Sequence, residues 1–334
     1  MKRLLITGAT GGLGRNAVTA MLKKGVEVRA TGRHPDTGKL LSAQGAEFVA
    51  LDLAATTAAE LARLVSGVDA VWHCAALSSP WGAPADFMAA NVTATSHLLK
   101  TAGEAGVQRF VHVSTPAIYF DYSHRLEVKE GFRPASYVNA YARTKAAAEQ
   151  CVQDAVMAFR TMHCTILRPR AMFGPHDQVV MPRLTRVMDA RGGRLPLPRG
   201  GQVTLDLTYV DNVVHALSLA ACSQRVPSGS AFNITNHEPA VLRDVLKMLF
   251  VDRLQRPLHI LPLPYPLMAM VARGMDAVAR VTHKEPAMTP YSLGALSFDM
   301  TLDNSRARQL LGYSPVVSLS EGISRTAEWM NQHG

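Results

Sequence analysis

Short apolar runs alternate with stretches of helical periodicity through the first half of the chain. Arg3 to Ile6 reads as a strand and Gly14 to Lys24 as a helix. Val26 to Thr31, Ala46 to Leu51 and Ala70 to His73 read as three more strands, followed by a helix from Asn91 to Gly103 and a strand from Arg109 to Ser114. Strands spaced by helices of this length need crossover connections, which predicts an α/β fold with a doubly wound parallel sheet. The second half is less regular. Arg191 to Gly201 is rich in Gly and Pro and reads as a loop, Thr208 to Ala221 as a strand end running into a helix, and Ala231 to Ile234 as a strand. Between Pro257 and Pro290 lies one amphipathic helix, with Arg273, Asp276 and Arg280 on one side and Val271, Met275, Val278 and Val281 largely on the other.

The chain has 334 residues, which at about 150 residues per domain predicts two units. The expected division is residues 1–170 with about 203–235 in the sheet unit, and about 171–202 with 236–334 in a smaller, discontinuous C-terminal unit that binds substrate. Hydrophobic residues make up 48% and charged residues 18%, which excludes a disordered chain. Cys74, Cys151, Cys164 and Cys222 have no metal-ligand spacing and read as buried thiols in a reducing compartment, so no metal is expected. Leu4-Leu5-Ile6 breaks at Gly8, too soon for a signal peptide, and the uncharged stretch Leu258 to Ala272 is interrupted by prolines; a cytoplasmic protein is expected. A net charge of +9 favours anionic partners: a phosphorylated cofactor, an acidic substrate or an anionic membrane. Nucleic acid is not expected, because the basic residues are scattered and form no binding motif.

The first strand runs into Thr7-Gly8-Ala9-Thr10-Gly11-Gly12-Leu13-Gly14 and then a helix. Glycines at 8, 11 and 14 permit the tight turn, the close backbone approach to a pyrophosphate and the packing of helix on strand, while the helix N-terminus offers unpaired N–H groups to phosphate. This arrangement marks a Rossmann-type dinucleotide site, with Gly8, Thr10, Gly11, Gly12, Leu13 and Gly14 against the cofactor. About 20 residues further on, an NAD site usually carries an acidic residue for the ribose hydroxyls. Here the second strand ends in Thr31-Gly32-Arg33-His34. Arg33 would attract a 2′-phosphate, so NADP(H) is expected in preference to NAD(H); the alternative is that Arg33 is a solvated cation. Asp52 and Leu53 are expected beside the adenine, with a helix N-cap as the other reading of Asp52.

Tyr141 and Lys145 share a helical face at i, i+4. A free phenol has a pKa of about 10, and an adjacent ammonium would lower it towards the range useful for general acid–base work. Ser114 or Thr115, at the end of the preceding strand, can hold a substrate oxygen. In this context the chain resembles the extended short-chain dehydrogenase/reductases over nearly its whole length. The resemblance rests on the glycine loop, Asp52-Leu53, His73-Cys74-Ala75-Ala76, Asn91-Val92, Val113-Ser114-Thr115 with Tyr119, Tyr141 to Lys145, Leu167-Arg168-Pro169 with Phe173-Gly174-Pro175, and Tyr209-Val210-Asp211-Asn212. It implies Thr115 as the catalytic hydroxyl with Ser114 as fallback, Tyr141 as proton donor or acceptor, and Lys145 on the nicotinamide ribose. It also puts Ala75, Ala76, Pro169 and Met172 beside the cofactor and gives Asn91 a supporting role; an N-cap is the other reading of Asn91.

Within that superfamily, the segments around STP, YVNAYARTKAAAE and DLTYVDNVVHAL are similar to the 3β-hydroxysteroid dehydrogenase branch and its 2-alkyl-3-oxoalkanoate reductase relatives. Nucleotide-sugar epimerases and dehydratases share the catalytic residues, but commonly place an Arg for the diphosphate where this chain has Leu205, with Arg170, Arg183, Arg186 and Arg199 as candidates to compensate. The Met-rich segment with Met268, Met270 and Met275 suits a hydrophobic substrate or a plain core helix equally. The expected activity is therefore ketone–alcohol interconversion on a hydrophobic molecule. The alternatives are a nucleotide-sugar epimerase and a non-catalytic dinucleotide sensor. Two partner readings stay open: a membrane-surface contact through 267–281, which is not the favoured reading, and a homodimer through the helices containing Asn91 and Tyr141.

Overall fold

The computed structural model describes residues 1–177, 181–282 and 284–333, without the side chains of Pro182 and Arg183. Seven parallel strands form the main sheet: β1 (Arg3–Thr7), β2 (Glu27–Gly32), β3 (Glu47–Ala50), β4 (Ala70–His73), β5 (Arg109–Val113), β6 (His163–Pro169) and β7 (Ser230–Ile234). Their order is β7-β6-β5-β4-β1-β2-β3. The chain builds outward from β1 through β3, then returns to start β4 on the other side of β1. The carboxyl ends of β1 and β4 therefore flank the crevice where an open α/β sheet binds its ligand.

Strand alternation assigns each apolar side chain to one of two layers. Leu4, Ile6, Trp72, Val111 and Leu167 point to the face covered by helices α1 (Gly12–Lys23) and α6 (Val210–Cys222), where they meet Ala17, Val18, Val214 and Leu217. Leu5, Val71, Phe110 and Ile166 point to the opposite face, under α3 (Ala58–Val65), α4 (Ala94–Glu104) and α5 (Ala140–Ala158). The remaining sheet crossover carries α2 (Pro35–Ala43).

A second core gathers Phe173, Leu195, Leu197, Leu205, Leu246, Phe250 and Ile323, drawn from segments far apart in the chain. The Arg191 to Gly201 stretch, expected to be a loop, contributes a strand, Arg194–Pro198, which pairs in parallel with His259–Leu263. The ribbon has only two strands, so prolines lacking a donor N–H are tolerated in it, while Leu195 and Leu197 alternate into the core.

The helix expected between Pro257 and Pro290 is α7 (Tyr265–Thr282), which packs on α8 (Pro290–Ala295). Its inward row is Met268, Ala272 and Ala279, with Leu293 of α8 beneath Met268 and Ala272. Val271, Val278 and Val281 are exposed, and Met270 is 71% exposed, so much of the apolar face read from the sequence is outward. The helix carries two apolar rows, and the one with small residues allows the closer approach to its neighbour. The cysteines are unpaired; Cys164 is buried, but Cys222 is exposed, not buried as expected. Among the described residues there is no cluster fit to hold a metal and no helix long and apolar enough to cross a membrane.

Candidate active site

β1 ends in the glycine loop. Gly8 has φ +64°, and a Cβ there would lie 2.7 Å from the Ala75 nitrogen in the loop after β4. A Cβ on Gly14 would come within 2.2 Å of the Gly8 carbonyl oxygen, so this turn of α1 packs directly on the loop. Gly11 differs: a Cβ there would meet only the Gly8 carbonyl, at 3.4 Å, and otherwise project into the open crevice. Gly11 is also the N-cap of α1, with no side-chain cap and no acidic residue in the first turn. The helix thus presents N–H groups and positive dipole to an anion, and the cradle fits a dinucleotide pyrophosphate. The other loop residues have packing contacts: Gly12 lies against the His176 carbonyl, buried Thr10 sits close to Gly32, and half-buried Leu13 fills the seam between the first and second cores.

Arg33 follows β2, and its Nη1 stands 4.0 Å from Asp52 Oδ2, with the two side chains 61% and 47% exposed. Asp52 is not a helix N-cap. Its Oδ1 accepts from the Ala54 N–H at 3.0 Å, closing a turn, and α3 is capped instead by Thr57. Leu53 packs half-buried on the core beneath α3.

The first turn of α5, capped by Asn139 Oδ1 on the Ala142 N–H (2.8 Å), carries Tyr141. The Tyr141 phenol lies close enough to the Thr115 hydroxyl to be influenced by it, and the Thr115 oxygen accepts from the Ala117 N–H at 3.1 Å. Ser114 turns the other way, as successive residues of an extended chain must, and donates to Glu149 Oε1 at 2.6 Å. The two adjacent hydroxyls, ambiguous in the sequence, are thereby separated: Thr115 meets Tyr141, and Ser114 joins a buried ion pair. In that pair Arg168 donates through Nε to Glu149 Oε1 at 2.8 Å and through Nη2 to Oε2 at 2.5 Å. Arg168 also donates to the Tyr119 hydroxyl and to the Glu130 carbonyl, at 2.5 and 2.9 Å.

One turn beyond Tyr141, buried Lys145 donates to the Val113 carbonyl at 2.7 Å and to His112 Nε2 at 3.1 Å. Burial brings its pKa down to about 8, while the Glu149 carboxylate pulls the other way. Burial pushes the Tyr141 phenol up to about 12, against the opposing pull of the nearby Thr115 hydroxyl. The expected lowering of Tyr141 by Lys145 is therefore not seen: the ammonium is committed to the end of β5, and desolvation of the phenol prevails. His112 is held well below the ordinary histidine range, first by burial and then by Lys145, and so is neutral and able to accept from the ammonium.

Asn91 lies inside a π-helical turn, Met88–Thr93, rather than at a helix N-cap. Its Oδ1 accepts from Leu77 N–H at 2.7 Å, and its Nδ2 donates to Thr144 Oγ1 at 3.1 Å and to the Leu77 carbonyl at 3.2 Å. It thus ties the loop holding half-buried Ala75 and Ala76 to α5. His73, buried and pushed down to about 3 by desolvation, bridges Thr7 Oγ1 (2.8 Å) and Thr95 Oγ1 (2.9 Å). Thr95 gives its proton to the Asn91 carbonyl, so His73 donates from Nε2 and accepts at Nδ1 from Thr7, whose oxygen also receives the Ala75 N–H at 3.2 Å. Sequence reading gave no role to His73, His112, Glu149 or Arg168. Glu149 was discoverable, four residues beyond Lys145 on the same helical face.

On the other wall, β6 ends at Pro169, and the chain turns through Arg170 to a short strand, Met172–Phe173, paired with Thr208–Tyr209. Arg170 is half-buried and its Nε has no hydrogen-bond partner; it lies within electrostatic range of the Asp206 carboxylate and of Tyr291 on α8, which is likewise near Tyr141. Leu205 is buried in the second core, 5% exposed. Arg199 donates to the Ser297 carbonyl at 3.2 Å, Arg186 is exposed, and the Arg183 side chain lies outside the described residues.

A dinucleotide cradle at a sheet switch point, with a Thr-Tyr-Lys set on the adjoining strand end and helix, defines an NAD(P)-dependent oxidoreductase of the extended short-chain type. Residues 4–235 match the NAD dependent epimerase/dehydratase family, and the chain belongs to it. It is 46% identical to the uncharacterized protein YbjS of Escherichia coli K12, over 99% of this chain and 98% of the other. It is 32% identical to 3beta-hydroxysteroid-dehydrogenase/decarboxylase isoform 1 of Arabidopsis thaliana, over 88% of this chain and 70% of that one. It is 31% identical to the 2-alkyl-3-oxoalkanoate reductase of Stenotrophomonas maltophilia, over 97% and 98% of the two chains. Among solved structures, UDP-glucuronic acid 4-epimerase from Bacillus cereus, with UDP-glucuronic acid and NAD, shares the fold at a TM-score of 0.76 and 23% identity, covering 99% of both chains.

Proposed function

We propose that this enzyme prefers NADP(H) and interconverts a ketone and a secondary alcohol on a hydrophobic substrate of hydroxysteroid or 3-oxoalkanoate type. The observation that carries the reading is the Thr115–Tyr141 hydroxyl pair beside the glycine cradle, with Lys145 one helical turn behind. The bound nicotinamide supplies or accepts the hydride. In the reductive direction Thr115 holds the substrate carbonyl oxygen, and Tyr141 gives its proton to that oxygen as negative charge develops there. A phenol with pKa near 12 is fully protonated at neutral pH and therefore loaded for donation. Lys145, one turn behind and held at the end of β5, would bind the nicotinamide ribose and so place the ring against the Thr115–Tyr141 pair.

The NADP(H) preference rests on Arg33 and on the lack of a carboxylate at the end of β2, with Asp52 no nearer than 4.0 Å. The substrate class rests on two observations. Leu205 is core, so no cation stands there for a sugar diphosphate, and the unpaired Arg170 Nε near Tyr291 suits a single carboxylate close to the ketone. The sterol and 3-oxoalkanoate activities named for the two relatives agree with this chemistry.

The test is NADPH oxidation with steroid ketones, long-chain 3-oxo acids and UDP-sugars, with NADH as control. Turnover of a lipid-like ketone, lost by about a hundredfold or more in Tyr141→Phe while NADPH still binds, is the expected result. Interconversion of a UDP-sugar without net cofactor consumption would overturn it in favour of an epimerase. Retention of full turnover by Tyr141→Phe would remove the assigned proton donor.

A further inference from the structure

Five of the large exposed hydrophobic side chains belong to α7: Leu267 (53%), Met270 (71%), Val271 (49%), Val278 (62%) and Val281 (80%). Exposed Gly274 and Ala277 fill the gap between them, so the residues form one unbroken apolar row along an 18-residue helix, about 27 Å long. This row is separate from the inward row of Met268, Ala272 and Ala279 that holds the helix to the protein. Exposed Arg273 and Arg280 stand along one flank, Arg280 bonded to half-buried Asp276 at 2.8 Å, and exposed Lys284 follows the helix.

We propose that the outward row of α7 seats this protein on an anionic phospholipid surface, with the apolar side chains in the interfacial layer and Arg273 and Arg280 against lipid phosphates. This goes beyond the proposed reaction and does not depend on it. A helix with one apolar row, a basic flank and no capacity to span is the form that lies in a membrane interface. The charge agrees, since the chain as a whole carries +9. The seat has a consequence for access. α7 packs on α8, which carries Tyr291 within electrostatic range of Tyr141, so docking would bring this side of the candidate site towards the surface where a hydrophobic substrate is dissolved.

The experiment is co-sedimentation of the full chain with vesicles of phosphatidylcholine alone and with phosphatidylglycerol added. The wild type should bind the anionic vesicles about tenfold better than the neutral ones, Val271→Asp/Val278→Asp should remain in the supernatant, and Arg273→Gln/Arg280→Gln should lose the preference for anionic lipid. Circular dichroism checks that the variants are folded. Should the aspartate variant not fold, Met270→Trp replaces it, and its emission should shift to the blue when anionic vesicles are added. Three results would overturn the proposal: wild type that binds neither vesicle, an aspartate variant that binds like wild type, or no blue shift from Met270→Trp. So would a solution dimer that the aspartates dissociate, because a second copy would then be what covers the row.

Discussion

Lys145 and Tyr141 are moved by one cause in opposite directions on the pH scale. Burial disfavours the charged form of each, which lowers the lysine to about 8 and raises the phenol to about 12. The phenol therefore keeps its proton throughout the working range, and the group that titrates first on the alkaline side is Lys145. On the proposed mechanism the charged lysine holds the nicotinamide ribose, and deprotonation weakens that hold, so reductive kcat/KM should fall as pH rises through about 8. His112→Phe sharpens the test. It removes the Nε2 that accepts from the ammonium, which destabilises the charged form and should move the alkaline break to lower pH. A pH–rate profile with an unchanged break would show that His112 is only a packing residue. At this scale Tyr141 and Lys145 were legible because their spacing alone puts them on one face. His112 was not, since its position beside Lys145 depends on how β5 lies against α5, and the choice between Ser114 and Thr115 needed the actual direction of each side chain.

α5 acts as a rod that positions three side chains a turn apart: Tyr141 beside Thr115, Lys145 at the close of β5, and Glu149 in the buried ion pair with Arg168. The pair bonds α5 to β6, and Ser114 adds the tip of the catalytic strand. Removing one partner leaves a guanidinium that is 2% exposed without its counter-charge. Glu149→Ala should therefore cost about 3–5 kcal/mol, read as a lower urea midpoint and a Tm depressed by roughly 5–15 °C. Glu149→Gln, which keeps an acceptor, should lose less. Equal stability of Glu149→Ala and wild type would mean that the network orients the helix without holding it. Elements differed in legibility for the same reason. The main strands were readable from their apolar runs, but the Arg194–Pro198 strand was hidden by its prolines, and the outward row of α7 was indistinguishable from a core row until the partner helix was known.

At the scale of the molecule, the parallel sheet and its crevice follow from the order of strands and crossovers, and those were visible in the sequence. A second, discontinuous unit was expected too, but the residues that form its core were not legible, because its segments are short and distant in the chain, and some of its strands are only two residues long. The nicotinamide preference belongs to this scale too, since it sets a local charge against the field of the whole chain. A net +9 attracts both coenzymes, NADPH somewhat more through its extra phosphate charge, but a diffuse field gives no specific hold on the 2′ position. Selection needs a cation at the 2′ position, and on the proposed preference Arg33 at the end of β2 would supply it, weakly opposed by Asp52 at 4.0 Å. Arg33→Ala should raise KM for NADPH by about tenfold or more, the worth of a charge-assisted hydrogen bond, and leave KM for NADH nearly unchanged. Added salt should weaken NADPH binding more steeply than NADH binding in the wild type and by a clearly smaller margin in the variant, because the exposed Arg33–phosphate contact is the larger screened term. If the two coenzymes instead respond alike to the substitution, the discriminating contact lies elsewhere and the preference for NADP(H) falls with it.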